Sequence, residues 1–134
     1  MKIYFAGSIR GGREKVQDYI KIVNELKKYG KVLTEHVANP DLSASGEDMT
    51  PQEIYERDRK WLEECDIVFA EISLPSLGVG YEIAYAEKLG KKVICMYEQN
   101  KNVSGMIRGN KNFEMITYTK VDELLEEIRK ILEM

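Results

Sequence analysis

The chain has 134 residues, 43% hydrophobic and 32% charged, the make-up of one globular domain with a proper core and not of a disordered segment. Its 20 basic and 23 acidic residues leave a formal charge of −3, so no basic footprint points to a nucleic acid polymer, while a small anionic ligand needs only local charge. No apolar run is long enough to span a membrane, the start carries no signal-peptide pattern, and one histidine with two separated cysteines makes no zinc signature; a cytoplasmic protein with no membrane partner and no metal is expected.

Lys2–Ala6 (KIYFA) is β-branched and aromatic, as in a buried strand, and stops at Gly7. GSIRGGR follows. Gln17–Tyr29 sets Ile20, Val23 and Leu26 at helical spacing, with Gly30 as the expected C-cap. Lys31–Thr34 is a second short strand. Glu35–Met49, polar and holding Pro40 and Gly46, is a loop. Thr50 as N-cap, Pro51 as first helical residue and Glu53 completing a capping box open a helix that runs to about Cys65. Asp66–Ile72 is a third strand. A turn with Pro75, Ser76, Gly78 and Gly80 leads into a helix from about Val79 to Leu89, closed by Gly90. Lys91–Tyr97 is a fourth strand and Gln99–Lys111 a polar loop containing SGMIRG. Phe113–Tyr118 is a fifth strand and Val121–Leu132 a charged amphipathic helix. Cys65 and Cys95 fall in apolar segments and read as buried free thiols.

Strands thus alternate with helices across short connections. The pattern predicts a three-layer, Rossmann-like α/β fold with a five-stranded, mainly parallel sheet. Ligands of such sheets sit beyond the carboxyl ends of the strands. Gly7–Arg13, Ser73–Glu82 and the loop around Ser104 fall there.

Two acids break the helical pattern. Asp58 lies four after Ile54, three before Trp61 and four before Leu62, on the apolar stripe of its helix. Glu82, expected in the first turn of its helix, lies three before Tyr85 and four before Ala86. A carboxylate on an apolar face loses hydration unless it is paired or neutralised. A cap or a backbone bond would explain one such acid. Two of them near strand ends, one behind a glycine-bearing turn, point to a site. Paired carboxylates in unlike environments divide into nucleophile and general acid, and glycosidic cleavage is the reaction that uses such a pair most directly. Tyr4, a core residue by position, matters if its hydroxyl reaches one of them.

For the anionic part of a ligand, Gly7, Gly11 and Gly12 allow close backbone approach, and Ser8 and Arg10 supply donors. The run matches neither GxGxxG nor a P-loop, so neither a dinucleotide nor ATP is expected. Ser76, the amides around Gly78 at a helix N-terminus, and Ser104 are further candidates.

IYFAGSIRGG, YGKVLTEHV, the Asp58–Trp61 stretch, PSLGVGYE and SGMIRG together resemble the 2′-deoxynucleoside 5′-monophosphate N-glycosidases, small hydrolases related to nucleoside 2-deoxyribosyltransferases. The resemblance covers nearly the whole chain. It implies a flavodoxin-like fold, no metal or cofactor, and a homodimer with composite active sites. It implies hydrolysis of a deoxynucleotide to free base and 2-deoxyribose 5-phosphate. Glu82 would be the nucleophile at C1′, Asp58 the acid or base at the leaving nucleobase, and Tyr4 the group orienting Glu82. Ser8, Arg10, Ser76, Gly78 and Ser104 would hold the phosphate, Ser104 and Met106 reaching in from the second subunit. Ile9 would pack on the base. Gly7, Gly11, Gly12, Arg13 and Gly105 complete the substrate contacts, and His36 lies near the site without a settled role. A transferase that passes the sugar to another base, and a non-catalytic nucleotide-binding module on the same fold, remain as alternatives. Asn39–Gln52 departs in composition from the animal enzymes, which leaves base preference open.

Overall fold

Every apolar run expected as a strand forms one, and each strand runs parallel to its neighbours. The computed structural model describes residues 1–134. The strands are β1 (Lys2–Ala6), β2 (Lys31–Val32), β3 (Ile67–Glu71), β4 (Lys92–Glu98) and β5 (Glu114–Tyr118), in the order β2-β1-β3-β4-β5. This is the flavodoxin-like order, and the sheet is wholly parallel. The order reverses between β1 and β3, so a crevice opens beyond their carboxyl ends.

Side-chain alternation sends each strand to two cores. Ile3 and Phe5 face α1 (Val16–Leu26) and α5 (Val121–Leu132). Tyr4 and Ala6 face α2 (Pro51–Glu64) and α3 (Leu77–Lys88). Both faces of the sheet are covered, which is why its strands are apolar throughout. The period of two also places Tyr4, 1% exposed, under α3 and near the strand end. No helix is long and apolar enough to cross a membrane, and Cys65 and Cys95 are buried free thiols.

The Thr50 capping box forms as expected, with Glu53 N–H donating to Thr50 Oγ1 (3.2 Å) and Thr50 N–H to Glu53 Oε1 (2.9 Å). Other boundaries move. β2 stops at Val32, and Thr34 continues its pairing through a side chain. Thr34 Oγ1 accepts from Phe5 N–H (2.8 Å) and donates to Phe5 O (2.6 Å). α1 ends at Leu26, and Gly30 is no left-handed cap: a Cβ there would lie 2.4 Å from the Met1 carbonyl oxygen. Its glycine is explained by close packing. α3 begins at Leu77, so Gly78 and Gly80 belong to the helix itself and Glu82 sits in its second turn. Two expected loops hold short helical pieces, a 3-10 turn at Glu35–Ala38 and α4 at Gly105–Arg108.

Candidate active site

A cleft of about 840 Å³ opens at the carboxyl ends of β1 and β3. The Gly7–Gly11 turn, the Leu74–Gly80 stretch and residues around Ser104 form its walls, with Asp58 and Glu82 among its lining. Two of these walls touch. A Cβ on Gly11 would lie 2.2 Å from the Pro75 carbonyl oxygen, so only glycine lets the β1 turn meet the β3 turn.

Glu82 stands between the core and this cleft. Tyr4 donates its hydroxyl to Glu82 Oε2 at 2.6 Å. Oε1 accepts no hydrogen bond, and a Cβ on Gly78 would lie 3.7 Å from it, so glycine at that position leaves the oxygen uncovered. Burial pushes the Glu82 carboxyl up to about 8; the Tyr4 hydrogen bond opposes this and the nearby Asp58 charge adds to it. Burial, then Glu82 and Asp58, hold the Tyr4 hydroxyl well above its ordinary range, so it remains a donor.

Asp58 reaches the same cleft from α2. Burial raises its pKa, and the hydrogen bond from Arg57 Nε to Asp58 Oδ1 (2.9 Å) works against that rise. Arg57 also grips Glu47, donating from Nη2 to Oε1 at 2.8 Å and from Nη1 to Oε2. Its guanidinium lies over the Trp61 ring, 4.8 Å from the centroid. His36 sits behind the cleft wall beside Trp61 and 3.3 Å from Glu47. Burial lowers its pKa, with Arg57 adding to this and Glu47 opposing it, so it is neutral at pH 7.

At the start of the helix that carries Glu82, Ser76 caps α3, its Oγ accepting from Val79 N–H at 3.2 Å. The first-turn amides of a helix attract anions, and Leu77 and Gly78 line the cleft there. Arg10 and Ser104 border the same space, and Ile9 lines it. Arg10 Nη1 donates to the Ser45 carbonyl at 2.8 Å.

Other residues singled out in the sequence lie off the lining. Ser8 is wholly buried; its N–H donates to the Tyr19 hydroxyl at 2.9 Å and its Oγ has no partner. Gly12 turns the chain with a positive φ. Arg13 ties loops together, donating to the carbonyls of Leu42 (2.9 Å), Asn39 (2.8 Å) and Ser8 (3.2 Å). Gly105 opens α4, and Met106 projects to solvent, 87% exposed. Arg57 and Glu47 were not legible as site residues. The one available signal was an arginine adjoining an acid on an apolar stripe.

The nucleoside 2-deoxyribosyltransferase family model matches residues 3–125. The chain is 45% identical to the 5-hydroxymethyl-dUMP N-hydrolase of Esox lucius over 138 residues, covering 99% of this chain and 94% of that protein. It is 50% identical to the Mus musculus protein of the same name over 111 residues, covering 80% of this chain and 64% of the mouse one. Among solved structures it superposes on the Clostridium botulinum CMP N-glycosidase BcmB with a TM-score of 0.74 at 24% identity, over 98% of this chain and 99% of that one. At that identity the superposition speaks for the fold.

Proposed function

The chain belongs to the nucleoside 2-deoxyribosyltransferase family, and from that premise we propose that it hydrolyses 2′-deoxynucleoside 5′-monophosphates to free base and 2-deoxyribose 5-phosphate. One observation carries the reading: Glu82 is held by Tyr4 through one oxygen, while its other oxygen is unpaired beside a cleft that the N-terminus of its own helix also lines. A nucleophile and an anion seat thus share one space.

Burial lifts both acids, so at neutral pH the Asp58–Glu82 pair holds a proton. In the productive form that proton is on Asp58 and the charge is on Glu82, steadied by Tyr4. The Glu82 carboxylate attacks C1′, the bond from C1′ to the base nitrogen breaks, and Asp58 gives its proton to the departing base. The sugar is then an ester of Glu82. Asp58, now ionised, takes a proton from water; the water oxygen bonds to C1′ and Glu82 leaves as carboxylate. A 2-deoxy sugar lacks an electron-withdrawing hydroxyl, so positive charge at C1′ costs less in both steps.

The phosphate would lie against Arg10, Ser76, the Gly78 amide and Ser104, with Ser8 supporting the turn and Ile9 against the base. These contacts are remote from the breaking bond and supply positioning. The reading includes a homodimer in which the segment of Ser104 and Met106, which borders the cleft of its own chain at Ser104, also reaches the cleft of the other subunit. The exposure of Leu77 (97%) and Met106 (87%) supports it, because large apolar side chains at a cleft rim fit a covered surface. The reading also places the protein in the cytoplasm, which accords with two unpaired cysteines.

The test is product analysis with dGMP, 5-hydroxymethyl-dUMP, deoxyguanosine and GMP. Free base from the deoxynucleotides alone supports the hydrolase. Base released from deoxyguanosine, with exchange when adenine is added, would make it a transferase. No base from any deoxynucleotide would leave a binding module.

A further inference from the structure

Arg57 does not line the cleft, yet every nitrogen of its guanidinium is engaged beside it. Nε donates to Asp58 Oδ1 at 2.9 Å. Nη1 and Nη2 fork onto the two oxygens of Glu47, the latter at 2.8 Å. The face of the group rests on Trp61, one helical turn along α2. Two carboxylates and an aromatic face leave the guanidinium one orientation. A lysine ammonium, as a point charge, cannot reproduce a fork and a side bond together.

Glu47 belongs to the segment that covers the cleft between the 3-10 turn and α2. That segment is bracketed by two arginines. Arg10, at the anion end, donates to Ser45 O, and a Cβ on Gly46 would lie 2.7 Å from the Arg10 guanidinium carbon. Arg57, at the other end, holds the next residue, Glu47.

We propose that Arg57 is a positioning residue of the reaction: it fixes one oxygen of Asp58 so that the other serves the leaving base, and it fastens the covering segment to that acid through Glu47. The proposal rests on the reading of Asp58 as the reaction's acid. Without Arg57, the carboxyls of Asp58, Glu47 and Glu82 share one neighbourhood with the Tyr4 hydroxyl and with His36, whose pKa Arg57 helps to lower, and the one permanent cation beside Asp58 is gone. The acid then holds its proton more tightly and loses its aim.

The test combines turnover with a carboxyl NMR titration of the full chain, for the parent protein, Arg57→Met and Arg57→Lys. In Arg57→Met the Asp58 titration midpoint rises by about one pH unit or more and the Glu47 signal moves with it. Its kcat for a deoxynucleotide falls about tenfold to a hundredfold, while KM changes by less than about threefold. Arg57→Lys falls between the two on both readouts. Arg57→Gln, which keeps length and donors without charge, takes the place of Arg57→Met if that variant does not fold. An unmoved Asp58 midpoint, or an unchanged kcat, overturns the proposal. A parent protein without turnover on any deoxynucleotide overturns the proposed function, and the role of Arg57 in it, whatever the titration shows.

Discussion

Two tyrosine–glutamate pairs have their tyrosine buried in the sheet, one on each face, and they have opposite uses. Glu71 ends β3 on the α1/α5 side, where Tyr118 of β5 donates to it. Ser73 adds its N–H and its hydroxyl, both at 2.8 Å, and Ser73 Oγ in turn accepts from Glu98 N–H at 2.8 Å. Glu71 is 1% exposed, and its two oxygens take three donors. Burial raises its pKa against those bonds, as it does for Glu82. Glu82 has one donor and one uncovered oxygen. Burial and a tyrosine are common to both acids. The difference is how fully each is hydrogen-bonded and whether a cleft reaches it. A carboxylate with three donors ties strands together; one with a free oxygen is available to form a bond.

The same substitution at the two acids therefore has unlike consequences. Glu82→Gln lowers kcat for a deoxynucleotide about a thousandfold or more, because an amide cannot attack C1′. Glu71→Gln leaves kcat close to the parent value. Steady-state kinetics on both variants checks the pair of outcomes, and an active Glu82→Gln would erase the distinction.

Next in size is the hydroxyl each acid accepts. Tyr4→Phe lowers kcat about tenfold to a hundredfold, the worth of a hydrogen bond to a charged group. The kcat/KM profile is bell-shaped, because the acid pair must hold one proton. Its alkaline limb lies near the ionisation at about 8. The Tyr4 bond lowers the Glu82 pKa, so its loss moves that limb to higher pH. Tyr118→Phe moves neither quantity.

Stability inverts the order of damage. Between the ordinary 4.5 of a glutamate and about 8, folded Glu82 binds more proton than the unfolded chain does. Stability is therefore lost as pH rises through that window. Glu82→Gln removes the loss, and its Tm exceeds the parent's by about 5 °C above that window, with the gain shrinking as pH falls. Glu71→Gln turns an amide NH2 toward a donor and lowers Tm by about 5 °C. Thermal melts at several pH values read both. The smallest effect is expected at the anion end. Ser76→Ala raises KM for a monophosphate about threefold to tenfold, and less for the nucleoside, with a slight fall in Tm from the lost cap.

Glu82 and Asp58 were legible because an acid on an apolar helical stripe violates the pattern around it. Glu71 raised no such signal. It sits in DIVFAEI, and a parallel strand buried on both faces has no polar face for an acid to violate. Gly78 and Gly80 read as a turn because glycine is a poor helix former. The Ser76 cap and the packing of Val79 and Ile83 override that preference. Arg57 and Glu47 meet across a loop whose path no spacing rule specifies. The strand runs and the Thr50 capping box were readable because each is local chemistry, whereas Gly30 is glycine for a contact with Met1, far off in the chain.

The covalent role of Glu82 is tested most directly by the stereochemistry of methanol capture. In buffer containing methanol, the β-configured deoxynucleotide yields base and a methyl 2-deoxyriboside 5-phosphate, whose anomer is read by NMR. Two displacements at C1′, the first by Glu82, give the β anomer with configuration retained. The α anomer would mean that solvent attacks C1′ directly, and Glu82 would not be the nucleophile.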